Sequence, residues 1–351
     1  MKKSPVFAFV MAGGSGERFW PLSRQATPKH LLKLLDEETL LEKTIRRLDG
    51  LVPLENTYVL TNHVQADAAR AALPFLPAKN IIAEPAKRDT APACTLATAI
   101  ARSRDPEAVC IVLPADAVIH NAAAFRECLE EALDAAASGP IVTLGIPPTF
   151  PATGYGYLEA GGQPSAGARA QTLKRFVEKP DLETATAYVA SGKYLWNAGI
   201  FVWKASTFLA EAERQAPALA EFIRLFKTQD DFSALLESKF ATLPKISVDY
   251  AIMENAAAVA MVPATFDWDD VGAWTALPAH LPADEAGNSK RGAVAVHNSS
   301  GNIALSTSRM VALCGVENLV VVESPDAILV CHRDSVQDVK ALQSLLPDSL
   351  K

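Results

Sequence analysis

The chain has 351 residues, 49% of them apolar and 21% charged, enough for one large domain or two ordinary ones with a substantial core. Its formal net charge of −7 leaves no basic surplus, which argues against nucleic acid and anionic membranes as partners. The five cysteines (Cys94, Cys110, Cys128, Cys314 and Cys331) are odd in number and scattered, which argues against a disulfide framework or zinc site and fits a reducing cytoplasm.

Residues 6–10 are an apolar run that reads as a buried strand. Met1, Lys2 and Lys3 before it imitate a signal peptide, but cleavage there would destroy the best motif of the chain, so we expect no leader. No stretch approaches the about 20 apolar residues of a transmembrane span. The motif is residues 11–29. Gly13, Gly14 and Gly16, with Ser15 between them, let the chain turn tightly and bring backbone N–H groups close to a ligand. Such a row of donors suits phosphate oxygens, and Arg18, Arg24 and Lys29 add positive charge. It is not a P-loop, because Glu17-Arg18 follows Gly16. Nor is it a dinucleotide fingerprint, because Phe19 stands where the third glycine would fall.

Thr39 and Glu42 form a capping box for an amphipathic helix reaching about residue 51. Strands follow at 58–60, 81–83, 109–113 and 141–144, separated by helices at 63–73, from 91, and at 122–137. This alternation predicts a parallel sheet with helices on both faces, and ligands then bind outside the carboxyl ends of the strands. The glycine loop, the segment 84–90 and Pro114-Ala115-Asp116 therefore converge on one rim.

The alternation breaks after residue 145. Residues 150–157 are rich in turns, and 161–167 read as a flexible loop tip. A strand at 174–177 ends in Glu178-Lys179-Pro180, with a helix at 181–190. Trp196-Asn197-Ala198-Gly199 leads into a strand at 200–203, and helical sequence fills much of 205–240. Residues 247–254 begin another helix, and a strand at 259–266 runs into three aspartates, Asp267, Asp269 and Asp270. Residues 1–280 thus read as one α/β domain and 281–292 as a linker. Short apolar runs at 293–296, 303–305, 310–313, 319–322 and 327–331 predict a small β unit over 293–351, and Ser335 caps a final helix. Val320, Val321 and Val322 cannot all face water, so this unit should pack on the first domain or on a second copy of the chain. We expect a homodimer through it.

Asp116 closes an otherwise apolar strand, and Asp267, Asp269 and Asp270 follow another. Carboxylates from two strand ends can hold one Mg²⁺ together with substrate phosphates, but spacing does not choose among the three later aspartates.

The glycine loop is similar to the pyrophosphorylase motif of sugar nucleotidyltransferases, G-x-G-x-R-x-x-P-L followed by P-K, with Gly14, Gly16, Arg18, Pro21, Leu22, Pro28 and Lys29 in register. Further segments extend the likeness over residues 5–340. They are Glu84-Pro85 with Arg88-Asp89-Thr90, Leu113-Pro114-Ala115-Asp116, Thr153-Gly154-Tyr155-Gly156-Tyr157 and Phe176-Val177-Glu178-Lys179-Pro180. Trp196-Asn197-Ala198-Gly199, Ser247-Val248-Asp249-Tyr250 and Trp268-Asp269-Asp270-Val271-Gly272 complete the set. Together they resemble the mannose-1-phosphate guanylyltransferases, in a short form with one activity. The resemblance implies a Rossmann-like, mostly parallel sheet with helices on both faces, then a C-terminal unit like a left-handed β-helix. It implies GTP and mannose 1-phosphate as substrates, GDP-mannose and pyrophosphate as products, and Mg²⁺ held by Asp116 and Asp270. Arg18 and Lys29 would hold the triphosphate, and Lys179 would neutralise the sugar phosphate. Gly156, Glu178, Asn197 and Asp249 would contact the sugar, and Glu84, Pro85, Arg88 and Thr90 would lie near the base. The chain departs from the family at Ala115 and Ala117, where Ser and His usually flank the aspartate, and at Asp89, usually Asn. The rival readings are a different nucleotide or sugar phosphate, or a non-catalytic nucleotide-binding paralogue.

Overall fold

The computed structural model describes residues 4–162, 169–226 and 232–351. The expected loop tip at 161–167 lies mostly outside them. β1 (Val6–Met11) is buried at its four middle positions, as a strand covered on both faces must be. α1 (Leu40–Arg46) starts on the capping box: Thr39 Oγ1 accepts from Glu42 N at 3.1 Å, and Glu42 Oε2 accepts from Thr39 N at 2.7 Å. It stops at Arg46, before the expected residue 51, and the chain continues in turns through Gly50, which has φ of +83°. There follow β2 (Thr57–Asn62), α2 (His63–Ala72), β3 (Ile81–Glu84), α3 (Thr90–Arg104), β4 (Val109–Pro114), α4 (Ala122–Ala137) and β5 (Ile141–Ile146). The second half adds β6 (Tyr157–Ala160), β7 (Gln171–Val177), α5 (Leu182–Ser191), β8 (Tyr194–Lys204), α6 (Ala205–Gln215), α7 (Pro217–Leu225), α8 (Phe232–Lys239), α9 (Val248–Ala251) and β9 (Val259–Pro263).

These nine strands form one sheet in the order β3-β2-β1-β4-β8-β5-β9-β7-β6. The first four are parallel, as predicted. The expectation that β5 simply extends them is corrected. β8 is longer than residues 200–203 and inserts antiparallel between β4 and β5. It accommodates both neighbours because its pairing with β5 shifts register around Ala198-Gly199, where Gly199 has φ of +67°. The sheet buries one apolar cluster on each face, around Ile111 and Phe125 on one side and Phe201 and Phe222 on the other. The expected helix over 247–254 is only the four-residue α9, capped by Ser247.

All five short apolar runs of the C-terminal unit become strands: β11 (Val294–His297), β12 (Ile303–Ser306), β13 (Val311–Cys314), β14 (Leu319–Glu323) and β15 (Ile328–His332). They are preceded by β10 (Ser289–Arg291). β10, β12 and β14 stack in parallel, β11 and β13 form a second parallel ladder, and β15 returns antiparallel to β14. This is a β-helix-like arrangement. The reading of 281–292 as a linker is corrected, since β10 is the first rung and Leu281 and Asn288 are buried. A buried amide ladder explains why: Asn288 Oδ1 accepts from Asn302 Nδ2 at 2.9 Å, and Asn302 Oδ1 accepts from Leu319 N at 2.9 Å. The three valines divide their faces. Val320 and Val322 pack with Phe19, Trp20 and Trp274 of the first domain, while Val321 meets Ala304 and Leu313 inside the unit. The expected final helix is broken into 3-10 turns around α10 (Val339–Leu342), and His332, not Ser335, caps its start.

Candidate active site

A cleft of about 520 Å³ opens at the carboxyl ends of β1 and β4. Ser15, Gly16 and Arg18 of the glycine loop line it, with Lys29, Asp116, Asp270, Gly156, Glu178, Asn197, Asp249 and Thr90. Gly16 has φ of +60°, and a Cβ there would stand 2.6 Å from the backbone nitrogen of Lys29, so the turn needs glycine. Cβ atoms at Gly13 and Gly14 would meet nothing within 4 Å, so both face open space.

Lys29 is the hub of the site. It is buried, and its Nζ lies 2.8 Å from Asp116 Oδ2 and donates to the carbonyls of Asp270 and Val271. It therefore ties the end of β4 to the turn after β9. Asp270 Oδ1 accepts from the Tyr155 hydroxyl. Burial holds the Asp270 carboxyl above its ordinary value, with Tyr155 and Lys29 opposing. The turn is strained: Val271, a β-branched and fully buried residue, has φ of +43°. Asp269 sustains it, since Oδ1 accepts from Val271 N at 2.7 Å while Oδ2 meets His280 Nε2 at 2.9 Å. Asp267 is engaged with the turn before α4, accepting from the backbone N of His120 and Asn121. Of the three aspartates, Asp270 lines the cleft with Asp116, and Asp267 and Asp269 do not.

Asp116 and Asp270 offer oxygen ligands only, which suits a hard divalent cation. Among the described residues no group of three or more His, Cys, Asp or Glu is placed to hold a metal. Two carboxylates fit an ion that completes its shell with phosphate and water oxygens.

Across the cleft, Glu178, Asn197 and Asp249 form a polar cluster. Asn197 Oδ1 accepts from Thr143 Oγ1 at 2.9 Å, and its Nδ2 donates to Asp249 Oδ1 at 3.4 Å. The bulge in β8 aims Asn197 here. A Cβ on Gly156 would lie 2.6 Å from Glu178 Oε2, so this glycine makes room for the carboxylate. Lys179 pairs with Glu178 at 2.7 Å, which keeps its ammonium charged, and adopts φ of +46°. Burial, with Glu178 nearby, pushes the Asp249 carboxyl up to about 7.

Other expected residues stand apart. Glu84, Pro85 and Arg88 do not line the cleft. Arg88 donates to the carbonyl of Ala241, and burial pushes the Glu84 carboxyl up to about 8. Thr90 lines the cleft but also accepts from Val248 N at 2.8 Å, which docks α9 and so places Asp249. Arg24 turns away and pairs with Asp326 at 3.0 Å. Sequence reasoning missed Tyr155 as a partner of Asp270, although it sits in a quoted motif, and missed Lys340, which no local pattern marks.

The nucleotidyl transferase family matches residues 7–286, and the MannoseP isomerase/GMP-like beta-helix domain matches residues 292–345. The chain belongs to the nucleotidyl transferase family. A mannose-1-phosphate guanylyltransferase of Escherichia coli K12 is 41% identical over 351 residues, covering 97% of this nucleotidyl transferase and 73% of the relative. The xanthan biosynthesis protein XanB of Xanthomonas campestris is 41% identical over 347 residues, with the same coverage. A crystal structure from Thermus thermophilus, described as a mannose-1-phosphate geranyltransferase, superposes with a TM-score of 0.88 at 38% identity, covering 97% of this chain and 98% of that one. The cleft just described is thus the candidate active site of a nucleotidyl transferase enzyme. No helix among the described residues is long and apolar enough to cross a membrane.

Proposed function

We propose that the enzyme transfers GMP from GTP to α-D-mannose 1-phosphate, giving GDP-mannose and pyrophosphate. The observation that carries this is the convergence of Asp116 and Asp270 on Lys29, between the glycine loop and the Glu178–Asn197–Asp249 cluster. A phosphate oxygen of the sugar phosphate attacks the α-phosphorus of GTP. The new P–O bond forms as the bond to pyrophosphate breaks on the opposite side. The protein's part is alignment and charge neutralisation, and no covalent enzyme intermediate is needed. Asp116 and Asp270 would hold Mg²⁺, which would supply charge neutralisation at the phosphates. Loop N–H groups and Arg18, which is exposed and donates to Gly272 O at 3.4 Å, receive the triphosphate. Lys29 contributes charge while holding the Asp116 carboxylate and the backbone of Asp270, whose carboxylate Tyr155 holds. Glu178, Asn197 and Asp249 accept and donate to sugar hydroxyls, and Lys179 faces the sugar phosphate. The base lies toward Thr90, the residue of the 84–90 segment that lines the cleft.

The names of the relatives support this choice of substrates. The test is pyrophosphate release with four nucleoside triphosphates crossed against several sugar 1-phosphates. GTP with mannose 1-phosphate should lead by a wide margin. Preference for another pair, or no release, overturns the reading.

The protein is further read as a cytoplasmic homodimer. β15 is a sheet edge whose Ile328 and Val330 are 57% and 60% exposed. An apolar edge of this kind is covered in a stable assembly.

A further inference from the structure

Glu17 stands between the glycine loop and the C-terminal unit. Its Oε1 accepts from Ser15 Oγ at 3.1 Å, and its Oε2 lies 3.1 Å from Lys340 Nζ on α10. Its backbone carbonyl accepts from Gln343 Nε2 at 2.8 Å. Close by, Trp20 Nε1 donates to the carbonyl of Leu350 at 2.9 Å, and Arg24 pairs with Asp326. The loop is therefore gripped from outside its own domain, by residues 326 and 330 positions away in the chain.

The Lys340 side chain is 65% exposed, and an ion pair at such a position contributes little to global stability. Its effect is local. Lys340 lines the same cleft as Ser15, Gly16, Arg18 and Lys29. Without it, Glu17 would present an unneutralised carboxylate beside the donors suited to phosphate. Burial opposes the charge on Glu17, while Lys340 and Ser15 favour it and leave its carboxyl below the ordinary range.

We propose that the C-terminal unit is part of the nucleotide site, with Lys340 as a positioning residue that neutralises Glu17 and, with Gln343, holds the glycine loop in the form that receives phosphates. The proposal rests on the reading of the loop as a phosphate site. By linkage, nucleotide bound to the loop tightens the docking of residues 333–351, and that docking raises nucleotide affinity.

The test compares wild type, Lys340→Ala, Gln343→Ala and the double variant Glu17→Gln with Lys340→Ala. Amide hydrogen exchange is read over residues 12–20 of the ligand-free protein, with melting temperature and GTP kinetics alongside. Lys340→Ala should speed exchange in the loop and raise KM for GTP up to about fivefold, the upper range for an exposed ion pair, with kcat changed less than KM. The melting temperature should hold, and Glu17→Gln should restore part of the KM. Unchanged loop exchange in Lys340→Ala overturns the proposal whatever the kinetics show. So does faster exchange throughout the molecule with a lower melting temperature, which marks a merely structural contact. A wild type that does not use GTP sinks the guanylyl reading instead, and the exchange comparison still decides whether the C-terminal unit holds the loop.

Discussion

Gly156 shows how one missing side chain shapes the site. Its Cβ would stand 2.6 Å from Glu178 Oε2 and 3.3 Å from Asn197 Cβ. Gly156→Ala should therefore displace Glu178 and lower kcat/KM for the sugar phosphate by roughly 10–100-fold, with KM for GTP little changed. Equal losses for both substrates would show that Glu178 does not face the sugar. Asp116→Asn and Asp270→Asn should each cost about 10²–10³ in turnover, the usual loss when a preorganised electrostatic group is removed. Their far-ultraviolet circular dichroism should match wild type; turnover within a few-fold at saturating Mg²⁺ would remove both from the metal site. Asp249 makes a pH prediction. Its folded value of about 7 lies above the ordinary 3.8, so the native state binds its proton more tightly. Stability then falls as pH rises through the window from about 4 to 7. Asp249→Asn should lessen the fall of the melting temperature across that window, leaving the comparable slope from Glu84, which extends to about 8. An unchanged slope would mean that Asp249 titrates normally.

At the scale of elements, the buried Asn288–Asn302 ladder holds the stack of β10, β12 and β14 together. Asn302 Nδ2 donates to Asn288 Oδ1 at 2.9 Å and to Val316 O at 3.1 Å, and its Oδ1 accepts from Leu319 N at 2.9 Å. Asn302→Ala leaves Leu319 N without its acceptor, while Asn288 Oδ1 and Val316 O keep the backbone donors Asn302 N and Ser300 N, and should destabilise the fold by about 1–3 kcal/mol. Urea unfolding measures this, and a loss below a few tenths would make the ladder incidental. β8 acts at the same scale on the active site. Its insertion between β4 and β5 carries Asn197 to the cleft, and the bulge at Gly199 gives that side chain its direction. Periodicity could not show this, because residues 196–199 read as a lead-in rather than as strand.

At the scale of the molecule, the C-terminal unit is continuous with the first domain through Phe19, Trp20, Trp274, Val320 and Val322. Truncation after Asn288 should expose that cluster and remove Lys340 and Gln343. The product should be polydisperse in light scattering, and any soluble fraction should bind GTP more weakly than the full chain. The full chain should scatter as a dimer at micromolar concentration. A full-length monomer would return β15 to the status of a tolerated apolar edge.

The sequence by itself determined the glycine loop, the first four strands and helices, the capping box at Thr39 and the short strands of the C-terminal unit. Each of these is a local pattern, written in neighbouring residues by steric and apolar periodicity. It also brought forward Asp116 and the run Asp267 to Asp270, where spacing left the three open and the resemblance pointed to Asp270. The physical difference among the three appears only in the tertiary structure, where Lys29 and Tyr155 reach Asp270 while His280 takes Asp269 and the backbone of His120 takes Asp267. The same reason hid Lys340, whose meaning lies in a carboxylate far away in the chain. The segment 281–292 reads as a linker because its polar composition resembles a loop, whereas Asn288 is polar in order to bond Asn302 inside the stack. Local pattern decided which elements form, and long-range contact decided which charged groups meet.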